Sequence, residues 1–257
     1  MDSLVRTATV RGVTTLTLDS PTNRNALSTA LIDQLLDGLA GAVADPAVRV
    51  VVLSHTGPAF CSGADLAETE SARNSGTMPA ARMGELLQAV WECPKPVVAR
   101  VGGPARAGGL GLVAAADIAV CTTDATFAFS EIRIGVIPAL ISSTVLPRLT
   151  SRAAAEMFLT GEVFDGTRAA QIGLVTAAVP ATELDAAVER YLDALRRAAP
   201  NALAGTKALL RRPVPATFGD NVAELSELSL SYFRSAEGAE GVTAFRQKRD
   251  PAWILLD

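Results

Sequence analysis

Apolar and polar residues alternate through TATVRGVTTLTLDS (7–20) on either side of Arg11-Gly12, the pattern of two strands joined by a tight turn. The period then changes. Leu31, Leu35, Leu39 and Val43 recur every four residues behind Ser28, which predicts a helix with Ser28 as its cap. VRVVVLS (48–54) and PVVARV (96–101) are short apolar runs that read as buried strands. Between them Met83, Leu86, Leu87 and Val90 mark a helix ending near Cys93-Pro94. DIAVCT (117–122) and TFAF (126–129) predict two more strands. Strand, turn and helix recur without a strict sequence repeat, so stacked β–α units are expected. From Thr150 the pattern is helical. Thr182-x-x-Asp185 has the form of a capping box, Pro200 opens a helix through Leu210, and two more helices are expected over 220–235 and 237–248. The expected organisation is an α/β core over 1–195 and a helical region over 196–257.

Composition narrows the class. Of 257 residues, 49% are hydrophobic but only 5% aromatic, so the core is built from Ala, Val, Leu and Ile. The net charge is −4 without a basic run, which argues against a nucleic-acid partner. Cys61, Cys93 and Cys121 have no metal-ligand spacing, and His55 is the sole histidine, so no metal is expected. His55 reads as a strand-end residue with a hydrogen-bond partner. The odd cysteine count and the start MDSLVRTATV lead to the expectation of a reduced, cytoplasmic protein, and no apolar run is long enough to span a membrane.

Two glycine-rich turns carry the chemistry. GGPARAGGLGLVAAADIAV (102–120) follows a strand and opens a helix. A helix start presents unpaired N–H groups and the positive end of the dipole, and glycine lets a ligand approach them closely. GPAFCSGADL (57–66) is a second turn that follows a strand and precedes a helix. One N–H from each turn, aimed at one oxygen, makes an oxyanion hole. Taken alone, the Gly108-Gly109 pair is more simply a tight turn with close helix packing.

AFCSGADL (59–66), GGPARAGGLGLVAAADIAV (102–120), FAFSEIRIGVIP (127–138), LTGEVFDGTRAAQIGLV (159–175) and EGVTAFRQKRDPAW (240–253) together resemble the enoyl-CoA hydratase/isomerase (crotonase) family, in family order. The resemblance implies a spiral of ββα units with a C-terminal helical trimerisation region, and trimers often paired into hexamers. It implies acyl-CoA thioester chemistry through an enolate-like intermediate, with coenzyme A as part of the substrate and no separate cofactor. By position, the oxyanion amides are those of Ala64 and Gly108, and the catalytic carboxylate is Glu131. A salt bridge to Arg133 or another arginine is the plainer alternative for Glu131. For CoA, the resemblance points to Arg24, Ala26, Ser62, Ala64, Asp65, Leu66 and Gly108, with Phe245 and Lys248 reaching it from the C-terminal region, often across a subunit boundary; Lys207 is a weaker candidate. Asp65 also reads as a helix cap.

Hydratases of this family commonly carry a second glutamate three residues beyond the oxyanion glycine. This chain has Gly111 there. The pattern is closest to bacterial methylglutaconyl-CoA hydratase-like members, which implies hydration of a 2-enoyl-CoA with one glutamate. A Δ3,Δ2-enoyl-CoA isomerase and a non-catalytic acyl-CoA binder are the alternatives. The related members carry an apolar residue at the Arg106 position and glycine at the Ala107 position, so Arg106 is open to two readings: a solvated surface residue, or a partner for a substrate carboxylate or CoA phosphate. The variable segment 70–87 is expected to shape the acyl pocket.

Overall fold

The computed structural model describes residues 3–65, 67–68, 70, 80–213 and 217–254. Leu66 and residues 71–79 of the expected acyl-pocket segment lie outside the described residues. The expected hairpin forms: β1 (Val5–Val10) pairs antiparallel with β2 (Val13–Leu18), and Arg11 and Gly12 both take positive φ in the turn. Ser28 Oγ accepts from Leu31 N at the start of α1 (Thr29–Ala44), which buries Leu31, Leu35 and Leu39. β3 (Val50–His55), α2 (Ala80–Glu92) and β4 (Val97–Val101) follow. Next come β5 (Ala105–Arg106), α3 (Gly108–Ala115), β6 (Ile118–Thr122) and β7 (Thr126–Ala128). A 3₁₀ segment, Ser130–Ile134, leads into α4 (Ala139–Val145) and α5 (Ser151–Thr160).

Six strands make one sheet in the order β1-β2-β3-β4-β6-β9, where β9 is Ala177–Val179; all neighbours except β1 and β2 run parallel. Three short strands, β5, β7 and β8 (Phe164–Asp165), form a second sheet. α6 (Gly166–Gln171) leads back toward the first sheet. Every residue of α3 is buried, as a helix apolar all round demands. It is the pivot between the two sheets.

α7 (Leu184–Arg197) packs Leu184, Val188 and Leu192 on the other face of the large sheet, against Val50, Val98 and Val120. The expected capping box at its start does not form. Ala181–Glu183 is a 3₁₀ turn, Glu183 takes the cap position without a side-chain bond, and Asp185 instead accepts from Arg100 Nε at 2.6 Å. The tail consists of α8 (Pro200–Arg211), α9 (Phe218–Arg234) and α10 (Ala236–Gln247). Buried charges tie it down. Lys207 and Arg211 each reach Asp117 at 2.6 Å, and Arg49, only 8% exposed, donates to Ala198 O (2.8 Å) and Trp253 O (3.4 Å). Among the described residues no helix is long and apolar enough to cross a membrane.

Candidate active site

The two glycine turns meet. Cys61 bridges Ala105 in parallel, with Cys61 N donating to Pro104 O and Arg106 N to Cys61 O. Three residues on, Ala64 bridges Leu27. In that bridge Leu27 N donates to Gly63 O and Asp65 N to Leu27 O, so the N–H of Ala64 faces away from Leu27. Gly108 begins α3, where the first amides have no carbonyl a turn earlier to bond. A Cβ on Gly63 would stand 2.8 Å from Ala107 Cβ and 3.6 Å from Gly108 N. The two candidate oxyanion amides therefore stand side by side at the positive end of α3, and neither has an acceptor among the described residues.

The glycine pair has a packing reason as well. A Cβ on Gly108 would lie 2.6 Å from Met83 Cε, and one on Gly109 would lie 2.8 Å from Cys61 Cβ. Ala107, the residue before them, has φ +46° and ψ −118°, a conformation suited to glycine.

Glu131 arrives by a different route. β5 and β7 are parallel, with Arg106 opposite Ala128. Gly108 lies two residues beyond Arg106 and Glu131 three beyond Ala128, so both leave the small sheet at the same end. Phe129 stacks on Phe158 with ring centroids 4.4 Å apart and anchors the segment. Arg133 is occupied elsewhere: its Nε and Nη2 donate to Gly161 O and Thr160 O at the end of α5. The alternative salt bridge is absent, and Glu131 has no ion pair among the described residues. Its Oε2 is buried without a hydrogen-bond partner, and burial raises its pKa above the usual glutamate value.

The second-carboxylate position is tightly packed. A Cβ on Gly111 would stand 2.8 Å from Ile141 Cγ2 and 3.0 Å from Leu87 Cδ2. Apolar side chains from α4 and α2 thus crowd the place where the Cβ of a glutamate would sit.

The expected CoA residues fall into groups. Arg24 is exposed, with φ +57°, at the end of a 3₁₀ turn over Pro21–Asn23; Ala26 is buried beside it. Ser62 joins this loop to the oxyanion turn, its N donating to Arg24 O and its Oγ to Asn23 O. Asp65 Oδ1 accepts from Ala67 N and Glu68 N, the capping role read from sequence. Phe245, 86% exposed, and Lys248 stand on the surface at the end of α10. Lys207 is buried against Asp117 and Lys95 O, which removes it from any CoA path.

Arg106 is not the solvated surface residue of the first reading. It is half-buried, and its guanidinium straps β5 to β7 through Ala105 O, Thr126 O and Thr126 Oγ1. His55 is as expected: Nε2 accepts from Gly102 N at 3.0 Å, and burial lowers its pKa.

Sequence reasoning missed Asn25. It is fully buried with φ +54°. Its Oδ1 accepts from Ser20 N, and its Nδ2 donates to Thr56 O and Ala59 O. One side chain thus holds the candidate CoA loop against the turn that carries Ala64. A polar residue between Arg24 and Ala26 was the only signal.

A sequence profile of the enoyl-CoA hydratase/isomerase family matches residues 8–254. The chain belongs to that family. An enoyl-CoA hydratase structure from Mycobacterium smegmatis is 34% identical, covers 98% of this chain and 99% of its own, and superposes with a TM-score of 0.90. Another, from Mycobacterium avium, is 48% identical over 98% of this chain and 100% of its own, with a TM-score of 0.75. A curated relative, the peroxisomal Delta(3,5)-Delta(2,4)-dienoyl-CoA isomerase of Arabidopsis thaliana, is 30% identical over 98% of this chain and 96% of its own. The fold of this hydratase/isomerase family member is the crotonase fold, and the family acts on acyl-CoA substrates.

Proposed function

We propose that the protein hydrates a 2-enoyl-CoA thioester with Glu131 as the single proton-carrying group. The observation that carries this reading is Glu131, whose Oε2 is buried without a hydrogen-bond partner, at the same sheet end as the open amides of Ala64 and Gly108. The thioester oxygen accepts from both amides. Glu131 takes a proton from water as the water oxygen bonds to Cβ, and the double-bond electrons move into the enolate held by the amides. The same carboxyl then returns a proton to Cα. Each amide acts on charge that appears only in the transition state, which is what lowers a barrier. A carboxyl with a raised pKa suits a group that must both accept and give a proton. Arg24, Ala26 and Ser62 border the CoA entrance, and neither a metal nor a redox cofactor enters the scheme.

A second reading rests on the packing at Gly111. With Ile141 and Leu87 packed against Gly111, that position lacks the second carboxylate that would hold water. This favours a 1,3 proton shift, in which Glu131 removes a proton from Cα of a 3-enoyl-CoA and delivers it to Cγ. The exposed Phe233 and Phe245 of the tail helices support assembly into a trimer or hexamer.

The test uses crotonyl-CoA, 3-methylglutaconyl-CoA and a 3-enoyl-CoA, with a Glu131→Ala variant beside each. Loss of enoyl absorbance with the first two, absent in the variant, supports hydration. A double-bond shift in D2O with no water added supports the isomerase. Binding of all three with no turnover leaves a non-catalytic acyl-CoA binder.

A further inference from the structure

A charged cavity lies at the opposite end of α3 from the oxyanion amides, about 12 Å along the helix. Its volume is about 350 Å3. Arg148 defines it: Nε donates to Ala114 O (3.0 Å) and Nη2 to Ala116 O (2.9 Å), so the guanidinium caps the C-terminal carbonyls of α3. Arg148 and Arg211 lie 5.1 and 4.4 Å from the centroid of the Trp91 ring. Asp117 is shared, with Oδ2 taking Lys207 and Oδ1 taking Arg211, while Arg212 is paired with Glu224.

Charge does not balance here. Four cations line or border the cavity, at Arg148, Lys207, Arg211 and Arg212, and two carboxylates, Asp117 and Glu224, answer them. The formal side-chain surplus is two positive charges, part of it answered by the α3 carbonyls that Arg148 caps. Nη1 of Arg148, and Nε and Nη1 of Arg211, have no acceptor among the described residues. Burial lowers the pKa of Arg148 and of Lys207, against the opposing pull of Asp117. The rest of the lining is apolar, from Trp91, Pro147 and Leu210.

We propose that this cavity is a binding site for a phosphate monoester, its phosphate on Arg148 and Arg211 and its organic part against Trp91 and Leu210. A phosphate dianion matches a surplus of two, where a single carboxylate leaves one charge unanswered. Guanidinium groups with open N–H donors suit its oxygens. The site stands apart from the acyl-CoA reading and does not depend on it.

Trp91 is the reporter. The chain has two tryptophans, so Trp253→Phe leaves its fluorescence alone. This protein is titrated with inorganic phosphate and with phenyl phosphate, at ionic strength held constant with NaCl. The expected result is a saturable change with both, tighter for phenyl phosphate, and at least tenfold weaker in Arg148→Gln and in Arg211→Gln. The second variant leaves Arg148 on the α3 carbonyls. Should Trp253→Phe not fold, the wild-type melting temperature is followed instead and rises with phosphate more than with chloride. A response that tracks ionic strength alone, or variants that saturate like the parent, overturns the site. A cavity closed by a second copy of the chain gives the same flat titration and overturns it too. Equal affinity for the two probes overturns the organic part.

Discussion

Gly63 faces Ala107 across the junction of the two glycine turns, so closely that a methyl group on Gly63 would stand 2.8 Å from Ala107 Cβ. Gly63 also has φ +95°. A side chain there strains the turn and pushes the Ala64 amide away from Gly108. Gly63→Ala is expected to lower kcat about 100-fold or more, the effect of losing one oxyanion donor. Circular dichroism checks that the fold persists. Unchanged kcat would remove Ala64 from the oxyanion role.

Ala107 pays the strain on the other side of that contact. At φ +46° and ψ −118° its Cβ is disfavoured. Ala107→Gly is expected to stabilise the protein by about 1 kcal/mol, raising Tm by about 2–4 °C. A thermal melt decides it, and a lower Tm counts against strain at this residue.

For Glu131 the expected signs follow from burial. Its folded-state pKa lies above 4.5, so the fold favours the protonated carboxyl, and this favourable contribution fades as pH rises through the raised pKa. Glu131→Gln is therefore expected to melt higher than wild type at neutral pH, with the gap closing below about pH 4.5. The same variant is expected to lose about 100- to 10,000-fold in turnover while still binding CoA esters. Wild-type kcat/KM is expected to rise with pH through that raised pKa, as the carboxylate forms. A gap in Tm that widens in acid would contradict the burial argument.

Restoring a glutamate at position 111 tests the apolar plug. Gly111→Glu alone is expected to destabilise by about 1–3 kcal/mol, since Ile141 and Leu87 occupy the space, and to gain no hydratase activity. Paired with Ile141→Ala, it is expected to recover stability and to hydrate crotonyl-CoA faster than either single variant. Chemical denaturation and steady-state rates read both.

Asn25 holds two loops with three side-chain hydrogen bonds and takes a positive φ. Asn25→Gly keeps the backbone freedom but removes the bonds, and leaves buried carbonyls of Thr56 and Ala59 without that donor. A cost of about 2–3 kcal/mol is expected, with KM for CoA esters rising more than Tm loss alone explains. A KM equal to wild type in the folded variant would limit Asn25 to stability.

Sequence pattern reaches as far as local physics does. The hairpin at Arg11-Gly12, the Ser28 cap and the helix from Pro200 are written in neighbouring residues, and each forms where the pattern places it. The approach of the two glycine turns was legible too, because each follows a strand and opens toward a helix. Failures lie where a distant partner decides. Asp185 leaves its capping role for Arg100, 85 residues away. Arg106 and Arg133 reach neighbouring backbone carbonyls brought by β7 and α5, which no spacing rule reports. Gly111 read as a missing group, and only packing shows that its place is filled.

Arg49 carries a consequence for synthesis of the chain. Its acceptors, Ala198 O and Trp253 O, lie 149 and 204 residues further on. A nascent chain that has emerged from the ribosome as far as α7 has its large sheet complete, while the Arg49 guanidinium still lacks both carbonyls. The tail is thus the late closing step of the core rather than an appendage. A ribosome-stalled fragment ending before residue 198 should stay sensitive to protease along β3, and protection should arrive only once the stretch through Trp253 has emerged.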